Sequence, residues 1–423
     1  MNKKKFYARL RTIFVIICIL TVGIIGELIV YSYIKNSEKS KDNSHVEKDL
    51  TNNGKQVENA NDNPAKDSNQ TSENKDDEMN ENTDTAKEYP NENMNENNNE
   101  GKEKADKTED KNTDDIVMLF TGDIYLSDFI LNQYNKKGID GILSESIQEE
   151  FQKAHMVMVN EEFPFSNRGS KAEDKQFTFR IDPKYVQIFK DMMINVVTLG
   201  NNHVLDYGTE ALQDTFTTLQ GVDIQYVGAG NNLKEARETK YFDMGEKTIA
   251  VLGASRVIPV TDWNAGENKP GLFTTYDPTA LIAEIETAKA QSDYVIVYVH
   301  WGIEKKNHPE EYQRKMARQY IDAGADLVVG SHPHVLQGVE YYKDKPIIYS
   351  LGNFMFYSNI PQTALLKVTL QEGELPKVEV LPAKAENGKT IIIEDPKEIK
   401  EFYQYISDLS YGVTFDKNGT ITY

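Results

Sequence analysis

Cysteine is nearly missing. Cys18 is the single one in 423 residues, which excludes an internal disulfide framework and any thiolate zinc module. Metal chemistry in this chain therefore falls to histidine, carboxylate and amide ligands. Basic residues are also short, 47 Lys and Arg against 67 Asp and Glu, for a formal charge of -20. Such a chain repels polyphosphate backbones, so nucleic acid is excluded as a partner. No G-x-S-x-G elbow and no P-loop occurs, and Gly228-Ala229-Gly230 lacks the third glycine of a dinucleotide fingerprint and reads as a turn. No internal repeat is found. What is present, 39% hydrophobic and 10% aromatic residues, is enough for a sizeable core and excludes a fibrous or wholly disordered protein.

Three unlike pieces make up that average. Residues 1–35 begin with Lys3, Lys4, Lys5, Arg9 and Arg11, followed by an apolar run from Ile13 to about Ile34. At 1.5 Å per residue such a run crosses roughly 30 Å of hydrocarbon, which predicts one transmembrane helix. No small-residue cleavage site follows it, so an uncleaved signal anchor is expected, with the remaining chain outside the cell membrane. Residues 36–115 contain no Ile, Phe or Trp and carry a charge of -12. They cannot bury enough to offset the entropy of ordering, and read as a disordered acidic tether. Residues 116–395 carry the folded domain, and 396–423 form a C-terminal segment with an amphipathic stretch near Ile399–Leu409.

Within the domain one pattern repeats: a short apolar run ends in polar residues. Ile116–Phe120 leads to Thr121-Gly122-Asp123, and His155–Val159 to Asn160-Glu161-Glu162. Val196–Leu199 leads to Gly200-Asn201-Asn202-His203, Tyr294–Val299 to His300-Trp301-Gly302, and Leu327–Val329 to Gly330-Ser331-His332-Pro333-His334. Helical segments lie between them, over 183–193, 208–219, 278–290 and 309–323. Buried strands alternating with helices predict an α/β fold. Three hairpins, over 241–253, 339–351 and 364–380, suggest a further sheet packed on the first. Ligands of α/β sheets bind at the carboxyl ends of strands, so these polar residues converge despite their separation in sequence.

Four of the seven histidines follow strands directly: His203, His300, His332 and His334. With Asp123, Glu162 and Asn202 they form a set of hard oxygen and imidazole ligands suited to a divalent Zn, Mn or Fe ion, one or two in number. Bound water at such a site loses its proton near neutral pH. His155 and His308 read as structural, the latter near a helix cap. Asp206 is expected to cap the following helix, with support of His203 as the alternative. Arg180, Arg256 and Lys305 are candidate contacts to an anionic substrate.

These motifs resemble the CapA-type proteins of poly-γ-glutamate capsule synthesis, whose domain is related to the calcineurin-like metallophosphoesterases. The matching pieces are Thr-Gly-Asp at 121–123, Asn-x-Glu at 160–162, Phe-x-Phe-Arg at 177–180 and Gly-Asn-Asn-His-x-x-Asp-Tyr-Gly at 200–208. Gly-Ala-Gly at 228–230, His-Trp-Gly at 300–302, Gly-Ser-His-Pro-His at 330–334 and Ser-Leu-Gly-Asn-Phe at 350–354 follow in family order. The resemblance implies a four-layer α-β-β-α sandwich. It also implies metal ligation by Asp123, Glu162, Asn202, His203, His300, His332 and His334, with His203 or His300 protonating a leaving group. Two departures stand out: Tyr125 replaces the histidine of the phosphoesterase D-x-H, and Asn-x-Glu replaces G-D-x-x-D.

The resemblance further implies capsule-synthesis membrane proteins as partners and poly-γ-glutamate or cell-wall polymer as ligand. Two functions follow. One is a metal-dependent phosphoesterase or amide hydrolase; the other is a subunit of an export complex that binds polymer without turnover.

Overall fold

The computed structural model describes residues 115–173 and 175–423. The expected transmembrane run and nearly all of the tether lie outside these residues. Among the described residues, no helix is long and apolar enough to cross a membrane.

Period-two alternation in the first strand explains the layering. In β1 (Ile116–Ile124), Leu119 enters one core while Met118 and Phe120 enter another on the opposite face. The strands that follow are β2 (Met156–Glu161), β3 (Val196–Thr198), β4 (Gln225–Val227), β5 (Ala229–Gly230), β6 (Lys240–Met244), β7 (Lys247–Ser255) and β8 (Gly271–Leu272). Next come β9 (Tyr294–His300), β10 (Leu327–Ser331), β11 (Leu336–Tyr342), β12 (Lys345–Leu351) and β13 (Asn353–Met355). β14 (Ile360–Leu370), β15 (Lys377–Glu386) and β16 (Lys389–Ile392) complete the large sheets.

The first sheet runs β16-β15-β14-β1-β2-β3-β4, with β13 added beside the end of β1. The second runs β11-β12-β10-β9-β7-β6. Both are mixed: β1 to β4 are mutually parallel, as are β7, β9, β10 and β12, and the hairpins supply antiparallel edges. This revises the expectation that the hairpins build a sheet of their own. β6–β7 and β11–β12 extend the second sheet, whereas β14–β15 joins the first.

One core lies between the sheets, built from residues such as Phe120, Met158, Ile296, Val329 and Leu366. A second lies between the first sheet and the helices α1 (Asp128–Lys137), α2 (Glu145–Lys153), α3 (Val186–Asp191) and α4 (Gly208–Gln220). α4 shows why: its buried residues Ala211, Leu212, Thr215, Phe216 and Leu219 recur at helical spacing along one face. A third core packs α5 (Thr279–Lys289) and α6 (Glu311–Asp322) on the second sheet through Leu281, Ile285, Met316 and Tyr320. The described residues are thus an α/β protein with two facing mixed sheets and helices outside each.

The C-terminal segment belongs to this body. In α7 (Pro396–Leu409), Phe402, Tyr403 and Ile406 enter the core between the sheets. Asp395 caps the helix by accepting from the backbone N–H groups of Lys397 and Glu398. α6 is capped by a Glu310–Gln313 capping box, so His308, an exposed residue, is not its cap.

Candidate metal centre

The carboxyl ends of β1, β2, β3, β9 and β10 meet where the two sheets face each other. A bulge in the β1–β2 ladder between Phe120 and Asp123 sets this up. At Gly122 a Cβ atom would stand 1.8 Å from the Gly352 carbonyl oxygen, so only glycine allows β1 to approach the turn before β13. Asp123 is thereby delivered into the interior with no exposed surface. Its Oδ1 accepts from Asn160 Nδ2 at 2.8 Å, and its Oδ2 lies 3.2 Å from His334 Nδ1.

Glu162 sits at the centre. Its Oε1 is fully buried, has no hydrogen-bond partner, and lies 3.9 Å from the Nε2 atoms of His203, His300 and His334 alike. That separation is too long for hydrogen bonds. It is the spacing that ligands held about 2.1 Å from a shared ion take up, roughly 3 to 4 Å apart. Two sets of ligand atoms lie within 4.8 Å of one another: Glu162 with His300 and His332, and Asp123 with Glu162 and His334. Glu162 belongs to both.

His332 and His334 reach the site through strained backbone. Their φ angles are 96° and 58°, in the left-handed region that non-glycine residues rarely enter. The pair is therefore not an extended i, i+2 presentation; two left-handed residues flanking Pro333 aim the rings, whose centroids are 6.0 Å apart. His334 Nδ1 also lies 2.8 Å from Asn353 Oδ1, whereas His332 Nδ1 is buried and has no partner. His300 is fully buried, with Nε2 2.7 Å from Asn202 Oδ1 and Nδ1 3.0 Å from Ser331 Oγ.

Burial dominates the protonation states. It pushes the Glu162 carboxyl well above the usual carboxylate range, and the nearby Asp123 charge adds to this. It pushes His300 well below the usual imidazole value and His332 down to about 3, the neighbouring histidines contributing. His334 is opposite: burial lowers it, but Glu162 and Asp123 outweigh that and raise it to about 10. Orphaned buried acceptors, neutral imidazoles and a carboxyl that resists ionising without a cation together fit a divalent ion.

His203 stands outside both ligand sets. Its Nδ1 is 2.7 Å from Asp206 Oδ2, its ring stacks on Phe179 with centroids 4.2 Å apart, and its Nε2 turns toward Glu162. Asp206 consequently does not cap α4, whose N-cap is Tyr207 with no side-chain bond. Its carboxylate is taken up by His203, by the Phe179 backbone N–H at 2.7 Å and by Lys175. The Lys175 ammonium also reaches the Asn202 carbonyl and lies 3.0 Å from His203 Nδ1.

Asp123, Glu162, Asn202, His203, His300, His332 and His334 are thus brought together. Among the described residues, neither the Arg180 nor the Arg256 guanidinium bonds to any of them, although the Arg256 backbone N–H donates to the His300 carbonyl at 2.7 Å. Arg180 is exposed, stacked 4.0 Å from the Tyr207 ring and bonded to the Arg168 carbonyl. The Arg256 guanidinium stacks against Tyr276 and Tyr312, at 4.4 and 4.7 Å. Tyr125, where a ligand histidine was missed, stacks on Phe179 at 4.0 Å and forms an aromatic wall instead. Sequence reasoning gave no role to Asn160, Asn201, Asn353 or Lys175. The three asparagines lay inside recognised motifs; Lys175 carried no signal at all. Asn201 links two strand ends by donating to Asn160 Oδ1 and the Glu161 carbonyl while accepting from the His203 N–H.

The chain is similar to several known proteins. The family described as bacterial capsule synthesis protein PGA_cap matches residues 117–358. The PGA biosynthesis protein CapA of Bacillus subtilis is 34% identical over 276 residues, 64% of this chain and 72% of that one. The capsule biosynthesis protein CapA of Bacillus anthracis is 29% identical over 318 residues, 73% and 77% of the two chains. Among solved structures, a phosphatase from Mycoplasma pneumoniae overlaps 69% of this chain and 99% of its own at 14% identity and a TM-score of 0.41. A putative 5'-nucleotidase from Staphylococcus aureus overlaps 70% of this chain and 58% of its own at 17% identity and a TM-score of 0.40. By its sequence match across 117–358 and its kinship with the two CapA proteins, the chain belongs to the bacterial PGA_cap capsule synthesis family.

Proposed function

We propose that this protein serves poly-γ-glutamate capsule synthesis or export as a membrane-anchored, extracellular hydrolase with a divalent metal at the cluster. The observation that carries the reading is Glu162 Oε1, buried and partnerless among three imidazoles. Asp123, Glu162, Asn202, His300, His332 and His334 would hold the ion. A divalent ion there supplies Lewis-acid polarisation of a phosphoryl or acyl oxygen and acidifies a water.

The chain's own groups do the rest. Asp206 fixes the His203 ring through Nδ1 and leaves Nε2 facing the cluster, where it would take the proton released by the attacking water and return it to a departing oxygen or nitrogen. Asn160 donates to Asp123 and keeps that carboxylate's second oxygen turned to the ion site. Phe179, stacked on His203, keeps water from one face of the ring. The apolar run at 13–34 and the acidic stretch after it would anchor the domain and hold it away from the membrane surface.

Tyr125 favours a second reading. Without a ligand histidine at that position, the set formed by Asp123, Glu162 and His334 has one member fewer, as suits a site that binds polymer through one ion without turnover. The test is to measure metal in residues 116–423 and to follow hydrolysis of a phosphodiester and a γ-glutamyl oligomer with and without chelator. Chelator-sensitive turnover on either substrate, reduced at least a hundredfold in His203→Ala with metal content retained, supports the hydrolase. Full metal occupancy with no turnover selects the binding subunit, and a protein that takes up no metal sinks both.

A further inference from the structure

A cleft of about 700 Å³ opens directly onto the cluster, with His203 and His334 forming its inner end. Its chemistry is not that expected for a polyanion. Among the described residues, the only other charged side chains lining it are Lys305 and its neighbour Glu304, which offset each other, so away from the metal end the cleft carries no net positive charge. The walls are aromatic. Tyr125, Phe179 and Phe356 form the deeper part, while Phe177 and Tyr357 stand at the opening 62% and 56% exposed.

Large apolar rings left this open to water mark a ligand groove when polar groups rim them. Besides the exposed Glu304 and Lys305, the rim offers neutral hydroxyl and amide groups from Ser358, Asn359 and Gln362. The deep rings are already occupied with one another, Tyr125 and Phe179 being stacked at 4.0 Å, so they form a wall rather than a slot. Open aromatic faces beside neutral hydrogen-bonding groups match a ligand with apolar C–H faces and equatorial hydroxyl or acetamido groups. A string of carboxylates matches neither feature.

We propose that this cleft is a subsite for a neutral saccharide, so that the portion of substrate flanking the metal is sugar rather than poly-γ-glutamate chain. The proposal deepens the hydrolase reading and rests on the cluster being a working site, but the cleft's ligand is readable by binding alone. Calorimetric titration with N-acetylglucosamine tetramer, and separately with a γ-glutamate pentamer, is done on metal-loaded and chelator-treated protein. The tetramer should bind saturably. Phe177→Ala and Tyr357→Ala, both at exposed rings where folding is not at stake, should each weaken it roughly three- to tenfold with metal content unchanged. The pentamer should be indifferent to both substitutions.

Absence of saturable tetramer binding, or tetramer affinity unmoved by both substitutions, overturns the proposal. So does pentamer binding that falls in Phe177→Ala. Loss of metal binding in the same samples strikes the hydrolase reading instead, since the tetramer titration is recorded with and without metal.

Discussion

Glu162 ties the site's protonation to the stability of the fold. Without a cation, its folded-state carboxyl resists ionising, so its stabilising contribution is greatest at low pH and is lost as pH rises past its ordinary range. His334, raised to about 10 by the charges of Glu162 and Asp123, titrates with Glu162 as one pair rather than as a second independent group, and the pair's contribution is lost toward pH 10. His203, His300 and His332 are lowered and oppose this only below about pH 6.5, where the unfolded chain takes up protons. From pH 7 to 9 the metal-free protein should therefore lose thermal stability. Glu162→Gln removes one carboxyl and the main support for the His334 charge, and should flatten that slope. Divalent metal should reverse it, because binding requires the ionised carboxylate and neutral imidazoles. Melting curves in chelator at pH 7 and pH 9, wild type against variant, decide the matter. Identical slopes would show that Glu162 is ionised in the empty site.

At the level of elements, the strand ends are positioned by close backbone approaches that tolerate little. Gly122 is the sharpest case, since a Cβ there would meet Gly352 backbone rather than a side chain able to swing away. Gly122→Ala should cost about 3 kcal/mol, the upper end for overpacking, and should lower metal content because Asp123 follows directly. Urea denaturation together with metal analysis checks this, and a wild-type midpoint would remove the constraint. The strands themselves were legible in the sequence because each is a short apolar run ending in polar residues, and the seven ligand candidates follow from that pattern. The sheet membership of the hairpins was not, because a hairpin pairs as readily with a parallel edge as with another hairpin. Asp206 reads as a cap because Asp before a helix commonly is one, and the alternative, support of His203, is the contact the structure shows. Its carboxylate instead meets His203, three residues before it, together with Lys175 and the Phe179 N–H, both brought in by a loop that no local pattern announces.

For the molecule as a whole, the C-terminal segment decides where the domain ends. The family match covers residues 117–358, yet β14, β15 and α7 beyond it close the core between the sheets. α7 buries Phe402, Tyr403, Ile406 and Leu409. Each is worth about 1.5 to 3 kcal/mol on burial, so together they rival the entire stability of an ordinary domain. The contact is intimate: Gly338 on β11 has room for no side chain because the Leu409 carbonyl would lie 1.9 Å from a Cβ, and Tyr411 N–H donates to the Val339 carbonyl at 2.8 Å. Past the helix, β17 (Thr414–Phe415) and β18 (Ile421–Thr422) form a small ladder, and the Gly419 carbonyl accepts from Val380 N–H. A chain ending at residue 395 should therefore expose the inter-sheet core, and is expected to be insoluble or to unfold without a cooperative transition. If that truncated chain instead melts cooperatively and retains metal, the last 28 residues are an appendage and the two sheets hold together without them.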